Sequence, residues 1–274
     1  MEVVAESEIY PNAPLEFVAC EVQFPVSPVL GEDDVLPALH RALFAWLPLV
    51  EPEVQTTLVV AGGQQPSPIV SKLLRFLSRD RRLSVVVSQS RVSVETTDYP
   101  GWAQFRGTIS RALNAVEGVS PMIPGLSRVG LRYIDEIRVP HLEPGEGRWS
   151  RYIDPRLSGA ASVLLHGRPP TEVLGVLQFD LGEGYRTVVR YGARHGQMVG
   201  GAPLRRRAPD QPSGEYFLID VDSFHETGET LPEFSAAASL SIADRLHQPV
   251  RALFESSITD DLRNEVLRRA PSRG

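Results

Sequence analysis

Two carboxylates and a guanidinium offer the first chemistry to weigh. Asp220 and Asp222 lie two residues apart in Tyr216-Phe-Leu-Ile-Asp-Val-Asp-Ser-Phe224, whose alternation predicts a strand. A period of two places Leu218, Asp220 and Asp222 on one face and Phe217, Ile219 and Val221 on the other. Paired carboxylates on one strand face can hold a cation or share acid–base work. The same pattern suits the solvent face of an antiparallel strand, or a salt-bridged pair, and the residues favour that solvent or salt-bridge reading; no metal or cofactor is expected.

Arg132 is the expected counter-ion if its strand is the neighbour. It sits in Arg128-Val-Gly-Leu-Arg-Tyr-Ile-Asp-Glu-Ile-Arg-Val-Pro140, which reads as a long central strand. Val129, Leu131 and Tyr133 face one side; Gly130, Arg132 and Ile134 face the other. A Gly and an Arg are unusual choices on a well-patterned face. Arg132, Tyr133, Asp220 and Asp222 are therefore the candidate ligand-binding residues.

Arg205, Arg206 and Arg207 form the one basic cluster, in a Gly- and Pro-rich loop from Gly192 to Gly214 that also carries Arg194 and His195. A solvated loop is the plainer reading; an anion or RNA contact is the sharper one. No aromatic residues interleave the cluster as single-strand binding would require. The net charge of −6 also disfavours nucleic acid.

Other catalytic signatures are absent. There is no phosphate-binding glycine loop, no dinucleotide fingerprint, no Gly-x-Ser-x-Gly and no zinc spacing. The six histidines, at 40, 141, 166, 195, 225 and 247, lack ligand spacing. His225, near Asp222, and His247, near Glu255, are the two that could join a site. Cys20 is the sole cysteine, so no intramolecular disulfide forms, and its place in a strand fits a small core residue. The balance leans away from an enzyme.

The elements that must position these residues follow from periodicity. Strands are expected at Leu15–Phe24, Glu53–Ala61, Leu83–Glu95 (a hairpin turning near Gln89), 128–138, Val163–His166, Thr171–Leu181, Tyr185–Tyr191 and Tyr216–Phe224. Ser71–Ser78 fits a short helix or a strand. Helices are expected at 33–47, 99–117 and 235–256, with a kink or restart at Pro249, and a short one follows the Thr259 cap. Trp102 reads as a core anchor, with ligand stacking as the alternative. Over 274 residues, with 42% hydrophobic and 23% charged content, this predicts an α+β protein. Its sheet is mostly antiparallel, and the long helices pack on one face. A boundary near 140 divides residues 1–140 from 141–274, as one compact unit or two packed subdomains, and the order is compatible with two similar α+β halves. An acidic N-terminus without an apolar core and the lack of a long apolar run point to a cytoplasmic protein outside the membrane.

Five stretches carry a resemblance: Asn12-Ala-Pro14; Tyr99-Pro-Gly-Trp102 with Phe105; Arg128 to Asp135; Asp220-Val-Asp222; and Leu246-His247 with Phe254-Glu-Ser-Ser-Ile-Thr259. Together they resemble a sporadically distributed bacterial family of uncharacterised proteins. The resemblance implies no activity and no catalytic residues. The patchy distribution of such a family implies a setting in mobile or defence systems. The first expectation is a binding or assembly protein that acts with a protein partner or as a homo-oligomer. The alternative is a small-ligand sensor or enzyme with a cavity between sheet and helix, in which Arg132→Ala would abolish binding.

Overall fold

The computed structural model describes residues 10–59, 67–120, 122–139, 149–196, 203–207 and 214–269. The end of the expected strand Glu53–Ala61, His141 and the 140/141 boundary lie outside the described residues, as do the acidic N-terminus and the last five residues.

Among the described residues, nine strands form one antiparallel sheet. In chain order they are β1 Leu15–Gln23, β2 Leu49–Val59, β3 Ser67–Leu77, β4 Leu83–Val87, β5 Arg91–Thr96, β6 Arg128–Ile137, β7 Gly175–Gly182, β8 Tyr185–Gly196 and β9 Gly214–Glu226. The order across the sheet is β2-β3-β4-β5-β1-β6-β9-β8-β7. The helices are α1 Val35–Leu43, α2 Trp102–Val119, the short α3 Pro155–Ser158, α4 Ala236–Ser257 and α5 Asp260–Leu262.

The connections repeat. β1 is followed by α1 and the meander β2 to β5, whose last strand returns to pair with β1. β6 is followed by α3 and the meander β7 to β9, whose last strand returns to pair with β6. A long helix, α2 or α4, ends each run, and β1 pairs with β6 at the centre.

Strict alternation builds the two faces. Val18, Cys20 and Val22 of β1 are buried toward the helices. They join Leu131 and Tyr133 of β6, Val221 of β9, Phe105, Ile109 and Leu113 of α2, and Leu246 and Val250 of α4 in one core that crosses both halves. Burial of apolar area of this kind is the main stabilising term. On the face turned away from the helices, Ile134, Tyr216 and Leu218 form a small cluster with Phe17.

Several elements differ from expectation. Of Ser71–Ser78, residues 71–77 are strand, the end of β3. Val163–His166 is not: a tight turn with a single bridge from Leu165 to Arg168 stands there, and His166 adopts φ 51°. Its apolar residues stay exposed, so the alternation had no partner to pair with. Pro249 lies inside α4 without ending it. Proline removes the donor for the Arg245 carbonyl, but packing of Leu246 and Val250 on the core holds the helix through it. Past the Thr259 cap, the last helix passes after one turn into a π-helical turn at Arg263–Leu267.

Candidate functional site

The four candidate residues divide between the two faces of the sheet. β6 and β9 are neighbours, and Arg132 lies opposite Asp222 in register. The Arg132 guanidinium reaches diagonally to Asp220, donating from Nε to Oδ1 at 2.8 Å and from its terminal nitrogen to Oδ2 at 2.7 Å. Arg190 approaches the same carboxylate at 3.7 Å, and Asp220 is 1% exposed. Arg128 bridges Asp222 and Glu21 at 3.7 and 3.6 Å and lies over the Phe224 ring. Burial raises the Asp222 carboxyl above its ordinary range, while Arg128 and Arg132 pull it back. Gly130 makes room for this arrangement: a Cβ there would stand 2.7 Å from the Arg128 guanidinium. Tyr133 takes no part, because it points through the opposite face.

The basic cluster is drawn inward. Arg206 is buried between Glu136 at 3.0 Å and Glu16 at 3.4 Å. Arg207 donates to the Ala13 carbonyl. Arg205 binds through its backbone to Arg81 and Thr97, and its side chain is exposed. Among the described residues no three His, Cys, Asp or Glu side chains gather as a metal site. No helix among them is long and apolar enough to cross a membrane. Burial pushes the Cys20 thiol up to about 12.

On the helix side, a cleft of about 130 Å³ opens between the sheet, the start of α2 and the face of α4. Gly101 adopts φ 99°, in the region glycine favours, and turns the chain from β5 into α2. That turn sets Tyr99 and Trp102 on one wall. Trp102 stacks on His247 of α4 with ring centroids 4.5 Å apart and planes 9° from parallel. Its indole N–H is fixed by Asp244 at 3.1 Å, and Asp244 is held in turn by Arg106. The Tyr133 hydroxyl lies 3.0 Å from the Tyr99 oxygen and 3.2 Å from His247 Nδ1. Burial pulls the His247 imidazole down to about 4 and pushes the Tyr99 phenol up to about 12. All three groups are therefore neutral at pH 7. With Tyr133 donating to Tyr99, His247 completes the chain as an Nδ1–H donor.

Asp135 forms part of the lining from β6 and is 6% exposed. It has no hydrogen-bond or ion-pair partner among the described residues. Burial pushes its carboxyl up to about 8, and repulsion from Asp220 and Glu16 adds to the shift. At the mouth, Glu255 accepts from Tyr10 at 3.1 Å and from Arg263 Nε at 3.1 Å. Arg251 lines the same space, half-buried and without a partner among the described residues.

Comparisons of the chain with protein-family models, curated proteins and solved structures give no match. The cleft lining draws on Pro14, Tyr99 and Trp102, Tyr133 and Asp135, Val221, and His247 with Phe254 and Glu255, from separated parts of the chain. Sequence reasoning missed Asp135, Tyr99 and Arg251. For Asp135 the signal was present. A period of two from Val129 through Leu131 and Tyr133 puts a carboxylate on the apolar face of a central strand.

Proposed function

We propose that this chain is a small-ligand-binding protein, a sensor or carrier, with the cleft between β6 and α4 as its site. The observation that carries the reading is the Asp135 carboxyl, which lines the cleft from the apolar face of β6, is 6% exposed and has no protein partner among the described residues. A carboxyl that lines a cleft without a protein partner, and that burial keeps protonated, offers a donor to whatever enters. Aromatic walls with a few polar groups converging between them are the usual make-up of a ligand pocket. Binding is favoured over turnover because only Asp135 is poised near neutral pH, while Tyr99 at about 12 and His247 at about 4 are not.

The test is native mass spectrometry of the gently purified chain beside Asp135→Leu, which fills the cleft floor. A small adduct on the parent that is lost in the variant is the expected result. An adduct retained by a folded Asp135→Leu chain would place binding elsewhere and end this reading.

Assembly is a second reading, supported by a different observation. β7 is an edge strand exposed from Val176 to Gly182. Leu177 and Phe179 share one of its faces, ahead of a register shift between Asp180 and Gly182. An exposed apolar edge invites another strand. The occupant we propose is a second copy, because an exposed edge strand can pair antiparallel with its own twin about a two-fold axis, placing each Phe179 beside the other. Sedimentation should give a dimer that Phe179→Lys converts to monomer; a monomeric parent at high micromolar concentration would exclude it.

A further inference from the structure

The charges that face the cleft can be balanced one by one, and the balance names a ligand class. This step rests on the binding reading above. From the N-terminal segment comes Tyr10, committed to Glu255, and from the β5–α2 turn Tyr99, a neutral phenol. From β6 come Tyr133, in contact with Tyr99, and Asp135, whose burial keeps its proton through neutral pH. Behind Asp135, Glu16 and Asp220 reinforce that protonation. From α4 come neutral His247, Glu255 already held by Arg263, and Arg251, which has no partner among the described residues. What remains is one unpaired cation at the mouth and one O–H donor below it, between aromatic walls.

We infer that the cleft takes a small organic acid, with its anionic head at Arg251 and Asp135 and a flat apolar body between Tyr99, Trp102 and Phe254. A guanidinium is suited to a carboxylate because its donors are planar and forked. Apolar cavities of about 150 Å³ accept a benzene ring, so the cleft matches one ring rather than a fused system. An ammonium ligand would meet Arg251 as a like charge and would need Asp135 ionised.

Isothermal titration with benzoate, benzamide and benzylamine separates the possibilities, since the three share a ring and differ in charge. Benzoate is expected to bind at least about tenfold more tightly than benzamide, and benzylamine more weakly still; about tenfold corresponds to one well-made charged contact. Arg251→Met should remove the benzoate advantage and leave benzamide unchanged, and Arg251→Lys should keep most of it. Benzoate affinity should fall as pH rises from 6.5 to 9, when Asp135 loses its proton, and Asp135→Asn should flatten that fall. Benzylamine binding more tightly than benzoate would overturn the acid assignment and leave the cleft standing as a binding site. No heat from any of the three at millimolar concentration would remove both the assignment and the binding reading.

Discussion

The two faces of this sheet treat the same side chains in opposite ways. Asp220 and Asp135 are both buried aspartates on adjacent central strands, 1% and 6% exposed. Away from the helices, Asp220 receives Arg132 through two hydrogen bonds and Arg190 beside it. Toward the helices, Asp135 receives nothing among the described residues. The first face extends its pairing across the sheet. Arg75 joins Glu53, Ser84 and Glu95, Arg91 reaches Glu21, and Arg128 spans Glu21 and Asp222. Charges satisfied in this way hold strands in register and offer little to a ligand, since binding would first have to break them. The lesson is that unusual polar residues on a central strand mark a site only when the fold leaves them unpaired. By that criterion the proposed binding is placed in the cleft and not on the charged face.

The comparison can be broken most decisively by pH. The native carboxyl of Asp135 stands at about 8, above its ordinary 3.8. The folded chain therefore holds a proton that the unfolded chain has released across the interval between them. Stability from this group is complete below about pH 4, declines as pH rises, and levels off above about 8. Urea unfolding at pH 5 and pH 8 should show the parent losing on the order of 4 kcal/mol relative to Asp135→Asn, at ~1.4 kcal/mol per pH unit. Parallel pH profiles for the two chains would mean that Asp135 is paired after all, and the contrast between the faces would disappear.

Arg132→Ala sharpens the same contrast from the other side. Arg132 was a natural candidate for binding, yet its guanidinium serves Asp220 on the face opposite the cleft. Its removal should lower stability by about 2 kcal/mol, as expected for hydrogen bonds to a charged group, with Arg190 still beside the carboxylate. Benzoate binding should be unchanged. Unfolding and titration on one preparation check both halves, and lost binding in a stably folded chain would reinstate the charged face as a site.

Much of this was legible in the sequence, for identifiable reasons. A period of two assigned the faces of β6 and β9 correctly, and the salt-bridged reading of Asp220 follows from it once the strands are neighbours. The α+β class and its antiparallel sheet came from short strands separated by turn residues. The cleft was harder to read because its parts come from five separated stretches, and only the three-dimensional path brings Tyr99 to Tyr133 and both to His247. Alternation also predicted a strand at Val163–His166, where the fold supplies no neighbour. Grouping Tyr133 with Arg132 set adjacence in sequence above the pleat, which sends adjacent residues to opposite faces.

Gly130→Ala is the smallest test and probes how finely the charged face is built. The added methyl would meet Arg128 at 2.7 Å, but the atom in the way is the far end of a flexible side chain. Arg128 can swing aside, giving up its place over Phe224 at 4.5 Å and its long contacts to Glu21 and Asp222 at 3.6 and 3.7 Å. Partly exposed ion pairs are worth roughly 0–1 kcal/mol. Against that loss, replacing glycine restricts the unfolded chain and recovers about 0.4–1 kcal/mol. The net change should fall within about 0.5 kcal/mol of zero, which distinguishes this idea poorly from no effect. The double-mutant cycle with Arg128→Ala resolves it. If Gly130 exists to seat Arg128, alanine should be more favourable once Arg128 is gone than while it is present. Equal effects in both backgrounds would mean that the glycine answers to the backbone of β6 and not to its neighbour, and that the pairing on this face tolerates looser packing than its ladder of contacts suggests.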